Sequence, residues 1–225
     1  MLKDYSKPSI SVGNLTGVDK NKSIERVKTY IISHVSDFIT EVKKEKIYNE
    51  VGLNSKFVIV MNNFNSSEMF YFHHENPEDH TSGQSARIDI GVYARGCMES
   101  AFFAFEAKRL DSKKVNKGKR KKEYVVNDNG GGIERFKNNT HGVGLSFAGM
   151  IGYIQTDDYD IWQERINQYI DEEIDSSSIK EVEWNEDDKL LNDKKLKDYA
   201  TYNSKHIRKD KTEINLFHLW INLII

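Results

Sequence analysis

Apolar and polar positions alternate over the stretch Arg87–Leu110, and this alternation predicts two β-strands. The apolar positions are Ile88, Ile90 and Val92 in the first half and Phe103, Phe105 and Ala107 in the second. Successive strand side chains point to opposite faces, so Glu106 and Lys108 project from the same face. Gly96 suits a tight turn between the two halves. The stretch therefore predicts an antiparallel hairpin in which Asp89 joins Glu106 and Lys108.

Helical periodicity predicts two longer helices. From Ser23, apolar residues recur at helical spacing as far as Val42, and Gly52 marks the predicted end. A second amphipathic helix is predicted over Tyr159–Ile174. A short helix is predicted after the glycines at 130–132, with an N-terminus able to accept an anion.

Further strands are predicted from short apolar or alternating runs. They are Phe57–Phe64, Met69–His74, Phe147–Gln155 as a buried strand parallel to the central ones, and a terminal hairpin over residues 200–225. The hairpin is expected to lie on the core. His206, Arg208 and His218 within it are candidates either for clamping a phosphate or for satisfied structural positions.

The length of 225 residues predicts one domain spanning residues 1–225. Residues 1–20 are polar and turn-rich and predict a loosely held arm. The stretch 113–122 predicts a basic loop, and 171–195 predicts an acidic surface excursion or linker.

Composition narrows the class of protein. Hydrophobic residues make up 38% and charged residues 30% of the chain, and the single cysteine, Cys97, excludes an internal disulfide. Neither a membrane-length apolar run nor a secretory leader is evident, so we expect a cytoplasmic protein without membrane contact. The net charge of −2 means that attraction to a polyanion has to be local and salt-dependent.

The predicted hairpin brings two carboxylates and an ammonium together inside very apolar strands. Charged groups are rarely buried unless they are paired or bound to a metal. A divalent cation relieves the repulsion between Asp89 and Glu106, and a neighbouring lysine can position or deprotonate a water. The alternative is an ordinary strand pair whose Glu106 and Lys108 lie on a solvated face.

Asp89, followed seventeen positions later by Glu106-Ala107-Lys108 on an apolar strand, resembles the signature of the PD-(D/E)XK nuclease superfamily, with Ile88 at the place of the proline. The resemblance implies an α/β, restriction-endonuclease-like core: a central mixed sheet of four to five strands flanked by helices, with a C-terminal elaboration. It also implies a Mg²⁺-dependent DNA endonuclease, with Mn²⁺ as a substitute cation. Asp89, Glu106 and the backbone carbonyl of Ala107 would bind the cation, and Lys108 would orient or activate the water.

The resemblance also implies a helix glutamate near the metal. Glu45 is the first candidate and Glu41 the second, with an ordinary boundary glutamate as the alternative. Glu75 ends a strand leading toward Asp89 and is a further metal-ligand candidate, against a solvated loop position. The surrounding loop also holds His73, His74, Asp79 and His80, a conceivable zinc site whose spacing matches no standard pattern.

DNA is the expected partner, and basic side chains near the predicted catalytic strand are candidates for contacting its phosphates. They are Lys119, Arg120, Lys121, Lys122 and Arg135. A partner subunit of a defence system and a homodimer are also expected, in phage defence, restriction or DNA repair. The alternative function is a nuclease-like module that holds DNA or a protein without cutting.

Overall fold

The computed structural model describes residues 20–77, 87–96, 100–115, 122–127, 131–176 and 182–224. The chain divides into two compact units, residues 1–33 and 34–225, where the sequence predicted one domain. The first unit contributes one described helix, α1 (Lys20–Ser33). Every other element belongs to the second unit.

The second unit is an α/β structure. Its helices are α2 (Val35–Glu45), α3 (Glu50–Asn63), α4 (Ser112–Val115), α5 (Gly132–Lys137) and α6 (Tyr159–Ser176). Its strands are β1 (Phe70–Pro77), β2 (Arg87–Ala94), β3 (Phe103–Leu110), β4 (Phe147–Ile154), β5 (Leu191–Lys195), β6 (Tyr199–Ile207) and β7 (Glu213–Asn222). A short 3₁₀ helix, Glu186–Asp188, precedes β5.

The strands form one mixed sheet in the order β1-β2-β3-β4-β7-β6-β5. β1, β2 and β3 are antiparallel neighbours, whereas β4 runs parallel to both β3 and β7. β7, β6 and β5 are again antiparallel. Among the described residues the sheet thus has seven strands, so the expectation of four to five was too low.

The added strands come from the C-terminal third of the chain. The predicted terminal hairpin forms as β6 and β7, but β7 pairs with β4 along its whole length, from Phe147↔Asn215 to Ile154↔Asn222. The hairpin therefore extends the sheet instead of covering the core.

Two helix and strand boundaries differ from the predictions. Three helices replace the single helix expected from Ser23 to Gly52. α2 ends where Lys46 takes the left-handed conformation (φ 55°). The side chain of Asn49 then accepts a hydrogen bond from the N–H of Gly52 and caps α3. The strand expected over Phe57–Phe64 lies inside α3. Its buried residues Leu53, Phe57, Val60 and Met61 recur at helical spacing, which a short apolar run does not distinguish from a buried strand.

Helices cover both faces of the sheet. On one face α2 and α3 pack through aromatic rings: Phe38 lies 5.5 Å from Phe57 and 5.9 Å from Tyr153 between centroids. On the other, a continuous apolar cluster joins α5, α6 and residues 184–190 to the strands, with Trp162, Ile166 and Trp220 among its buried members. The helix predicted over Tyr159–Ile174 and the strand predicted over Phe147–Gln155 are confirmed as α6 and β4.

The acidic stretch 171–195 is not a surface excursion. α6 continues to Ser176, and after residues 177–181, which lie outside the described part, the chain buries Val182, Trp184 and Leu190. The carboxylate of Asp188 is fully buried and contacts Lys137 and His206, each at 2.5 Å. The apolar residues interleaved with the acidic ones anchor this stretch to the core.

A buried chain of hydrogen bonds runs from β7 to Asp188. It consists of Trp220 Nε1 to Tyr124 OH (2.9 Å), Tyr124 OH to His218 Nδ1 (2.8 Å), His218 Nε2 to Ser204 Oγ (2.7 Å), Ser204 Oγ to His206 Nε2 (2.6 Å) and His206 Nδ1 to Asp188 (2.5 Å). An indole can only donate and an ionised carboxylate can only accept. Burial lowers the pKa of both imidazoles, and with both rings neutral every bond points from Trp220 toward Asp188, with His206 protonated on Nδ1 and His218 on Nε2.

Within the described part of the chain, no helix is long and apolar enough to cross a bilayer.

Candidate metal centre

The hairpin of β2 and β3 brings Asp89 against Glu106, as the sequence predicted. Regular pairing between the strands ends at Ile90↔Phe105. Beyond that point the Asp89 carboxylate replaces the backbone of its own strand as acceptor, and the Ala107 N–H donates to its Oδ2 at 2.8 Å. The strands separate there, and the carboxylates lie at the opening.

Lys108 lies at the centre of the cluster. Its ammonium donates to Glu106 Oε1 at 2.7 Å and to the Ala107 carbonyl at 3.0 Å. Carboxylate oxygens of Glu50 and Asp89 lie 3.5 and 3.9 Å from the same nitrogen. The ammonium therefore occupies the point on which three carboxylates and one backbone carbonyl converge.

Glu50 supplies the carboxylate from the helical side. It is the first residue of α3, which Asn49 caps. The backbone N–H of Arg109 donates to Glu50 Oε2 at 3.3 Å, and the Arg109 guanidinium donates to the carbonyl of Tyr48 at 3.0 Å. These bonds tie the start of α3 to the end of β3, so Glu50 is held beside Lys108.

Two basic side chains from the other face also contact Glu106, which is completely buried. Arg135 on α5 donates to Oε1 at 2.7 Å. His141 Nδ1 lies 3.0 Å from Oε2, an ion-pair distance, although neither atom has a well-aligned hydrogen bond. One glutamate is thus surrounded by three basic groups.

These surroundings shift the pKa values of Asp89 and Glu106 in opposite directions. Burial, followed by repulsion from Glu106, raises the pKa of Asp89 to about 7. Burial also acts to raise the pKa of Glu106, but Lys108, His141 and Arg135 outweigh it and lower that pKa to about 2. The pKa of Lys108 is raised, because Glu106, Glu50 and Asp89 outweigh its burial. Lys108 is therefore an ammonium at neutral pH.

The donor set fits a hard divalent cation, since carboxylate and carbonyl oxygens are the ligands Mg²⁺ and Mn²⁺ prefer. Lys108 acts as a stand-in cation at their meeting point. Among the residues that the structure describes, no group of three or more His, Cys, Asp or Glu side chains is arranged to hold a metal directly. A cation would have to take contacts that Lys108 now makes.

Comparison with known proteins finds no match. No protein-family model, curated protein or solved structure is similar to this chain.

Other predicted ligands pair with basic side chains outside the cluster. Glu45, at the end of α2, pairs with Lys56 at 2.7 Å, and Glu41 pairs with Lys44 at 3.3 Å. Glu75 pairs with Arg87 at 3.7 Å. The helix carboxylate beside Lys108 is Glu50 and not Glu45, because the break before Asn49 starts a new helix whose first residue faces β3.

Of the five residues predicted to contact DNA, two lie in the described part of the chain. Lys119, Arg120 and Lys121 lie outside the described residues, as do Asp79 and His80 of the conceivable zinc loop. Lys122 pairs with Glu172 at 2.5 Å and with Glu173 at 3.4 Å on α6. Arg135 contacts Glu106, and its side chain retains 30% exposure toward solvent.

The N-terminus of α5 does not offer an anion site. Its first N–H groups, of Gly132, Ile133 and Glu134, donate to the carbonyls of residues 123, 124 and 125 at 2.9–3.1 Å. Bonds to residues 122–127 thus satisfy the groups that an anion would need. His206 and His218 are fully buried in the hydrogen-bond chain, and buried Arg208 donates to the carbonyl of Gly142, so these three candidates hold the core together.

Glu50 and His141 are the site residues that sequence reasoning missed. For Glu50 a signal existed: Asn49 followed by an acidic residue is a helix start, since asparagine caps and acids favour the first turn. His141 lies in a glycine-rich loop with no periodicity, and only the fold brings it to Glu106.

Proposed function

We propose that this protein is a Mg²⁺-dependent DNA endonuclease of the PD-(D/E)XK type. The observation that supports this most strongly is the convergence of Asp89, Glu106, Glu50 and the Ala107 carbonyl on the Lys108 ammonium. A buried strand pair has no structural need for two carboxylates beside a third from α3, since burying a carboxylate costs desolvation energy.

The order of elements supports the same proposal. α3 is followed by the antiparallel strands β1, β2 and β3, then by α5, and then by β4 parallel to β3. This is the order of helix, strands, helix and strand that a restriction-endonuclease-like core implies. β5, β6 and β7 then form the C-terminal elaboration of that core.

In this proposal Asp89, Glu106 and the Ala107 carbonyl hold the cation, with Glu50 in the helix position first assigned to Glu45. A bound cation would supply a Lewis acid and lower the pKa of a water. Lys108 would orient or activate that water, or stabilise charge on a phosphoryl oxygen.

The reaction is phosphodiester hydrolysis. The water oxygen loses one proton to solvent and forms a bond to phosphorus as the bond from phosphorus to the leaving sugar oxygen breaks, and that sugar oxygen takes up one proton from solvent. Roles in phage defence, restriction or DNA repair, with a partner subunit or as a homodimer, are proposed on the resemblance alone.

A non-cutting module that holds DNA or a protein is the second candidate. Two observations favour it: three basic groups already surround Glu106, and among the described residues no group of three or more His, Cys, Asp or Glu side chains is arranged to hold a metal. In that case the charge cluster is structural.

The two candidates are separated by incubating the purified chain with plasmid and linear DNA in Mg²⁺, Mn²⁺ or EDTA. The nuclease proposal predicts cutting that requires the cation and falls by about 100-fold or more in Glu106→Gln and in Lys108→Ala. Glu45→Gln is the matched control, because Glu45 contacts Lys56 outside the cluster. Cutting that persists in both site variants contradicts the proposal.

A further inference from the structure

The contacts of Glu106 bear on how many cations the site holds. Both of its oxygens face basic groups: Lys108 and Arg135 share Oε1, and His141 lies beside Oε2. In a two-cation site, ions about 3.5–4 Å apart clamp the attacking and leaving oxygens. A carboxylate that bridges two such ions needs both oxygens for metal, whereas here the protein already supplies cations to Oε1.

The charge of the cluster points to a single cation. The carboxylates of Glu50, Asp89 and Glu106 exceed the cations Lys108 and Arg135 by at most one negative charge. One divalent cation changes this to an excess of at least one positive charge, which one phosphodiester offsets. A second divalent cation would leave the substrate complex with at least two excess positive charges.

Arg135 is placed to act in the position of that second cation. Its guanidinium carries five N–H donors in a planar fork that suits phosphate oxygens, and a protein guanidinium is always charged. The side chain is 30% exposed, while Glu106 is not exposed at all, so Arg135 lies between the buried carboxylate and solvent.

The helix that carries Arg135 is held rigidly. Ile133 and Phe136, which lie before and after Arg135 in the sequence, are fully buried. Lys137 pairs with buried Asp188 at 2.5 Å. The backbone of α5 therefore keeps the guanidinium beside Glu106.

We propose that the site binds one divalent cation and that Arg135 supplies the second positive charge, contacting the phosphodiester beside that cation. This inference rests on the proposed function. It makes Arg135 a competitor of the cation in the free protein and a substrate ligand in the complex.

The test is titration of the full-length protein with Mn²⁺ alone, with free Mn²⁺ measured by electron paramagnetic resonance. We expect one Mn²⁺ per chain. Arg135→Gln removes a competing positive charge, so its dissociation constant for Mn²⁺ should fall by about three- to tenfold. Arg135→Lys should stay near the wild-type value, because it keeps the charge. Lys122→Gln is the control, since Lys122 pairs with α6.

The outcomes are distinct. Two Mn²⁺ ions per wild-type chain, or one ion bound no more tightly by a folded Arg135→Gln variant, overturn the inference and leave the proposed function standing. The absence of any Mn²⁺ binding to the wild type overturns both. Circular dichroism of each variant checks that it is folded.

A second readout follows duplex DNA binding by fluorescence anisotropy with Ca²⁺ as the cation. Arg135→Gln should weaken binding by about tenfold, as expected for the loss of one charged contact. Unchanged DNA affinity in Arg135→Gln would contradict the role as a substrate ligand.

Discussion

Two acidic side chains in one cluster differ sharply in acidity because their partners differ. Glu106 contacts Lys108, Arg135 and His141, whereas Asp89 accepts one backbone N–H and lies 3.9 Å from the Lys108 nitrogen. Asp89 is therefore the carboxylate with the least compensation. Its ionisation works against folding when no cation is present.

The stability of Asp89→Asn relative to wild type should depend on pH. The folded-state pKa of Asp89 is raised to about 7, above its ordinary value of 3.8, so the folded protein keeps this proton between those limits while the unfolded chain loses it. The contribution of Asp89 to the free energy of unfolding of the wild type therefore falls as pH rises through that range. In EDTA, Asp89→Asn should gain about 4 kcal/mol over wild type by pH 8 and little at pH 4.

Urea unfolding at a series of pH values measures this difference. Asn can still accept the Ala107 N–H, so the substitution removes the charge and keeps the hydrogen bond. A stability difference between Asp89→Asn and wild type that stays constant from pH 4 to pH 8 would show that folding does not raise the pKa of Asp89.

The meeting of Asp89, Glu106 and Lys108 was predictable at this scale, because strand alternation and antiparallel pairing decide which side chains share a face. The contacts of Glu50, Arg135 and His141 were not. They come from three segments far apart in sequence, and local periodicity carries no information about which segment packs against β3.

At the scale of elements, α5 is positioned by an unusually close approach of backbone segments. A Cβ on Gly131 would lie 2.4 Å from backbone atoms of Val126, although its φ of −83° is open to any residue. Glycine is required there for space. This explains part of the triple glycine, which the sequence marked only as a helix start.

Gly131→Ala should therefore destabilise the protein by about 2 kcal/mol or more, since a backbone clash cannot be relieved by a side-chain rotation. Gly144→Ala is the comparison: no heavy atom lies within 4 Å of its Cβ position, and only its φ of +74° is unfavourable. That variant should lose about 1 kcal/mol. Thermal unfolding of the two variants decides the point, and equal losses would contradict the close approach.

The buried hydrogen-bond chain makes a prediction about two histidines. Burial lowers the pKa of His206 and that of His218, the latter strongly. Both should be neutral at pH 7, with His206 protonated on Nδ1 and His218 on Nε2. Nitrogen-15 NMR of the imidazoles identifies the tautomers. A charged ring at pH 7, or the opposite tautomers, would contradict the direction of the chain.

Helices and strands were predicted correctly where the pattern of apolar residues was regular over many positions, as for α6, β4, β6 and β7. The error at Phe57–Phe64 has a physical origin: a helix buried around much of its circumference shows the same short apolar run as a buried strand. The acidic stretch was misread for a related reason, because three interleaved apolar side chains outweigh many charges once they reach the core.

At the scale of the molecule, the C-terminal third completes the sheet and also fixes α5. β7 lies between β4 and β6, and Asp188 pairs with both Lys137 of α5 and His206 of β6. The elements that carry the candidate site thus depend on residues that follow its last residue, His141, by 47 positions or more in the sequence. Sequence patterns predicted this hairpin but not its place in the sheet.

Lys137→Met should test that dependence. It leaves a buried carboxylate without its ammonium, so the free energy of unfolding should fall by about 3 kcal/mol or more. Lys205→Met is the matched control, because Lys205 forms an exposed pair with Glu213 and its loss should leave stability unchanged. Urea unfolding measures both, and equal stability of the two variants would contradict a structural role for the Lys137–Asp188 pair.

The central claim is that the oxygens now gathered around Lys108 are the ligands of a divalent cation. Its most direct test is a crystal structure of the protein grown with Mn²⁺, read through the anomalous signal of the metal. The account predicts a peak bound by the Asp89 and Glu106 carboxylates and the Ala107 carbonyl, with Lys108 displaced from Glu106. A map with no peak there and Lys108 still bonded to Glu106 would contradict it.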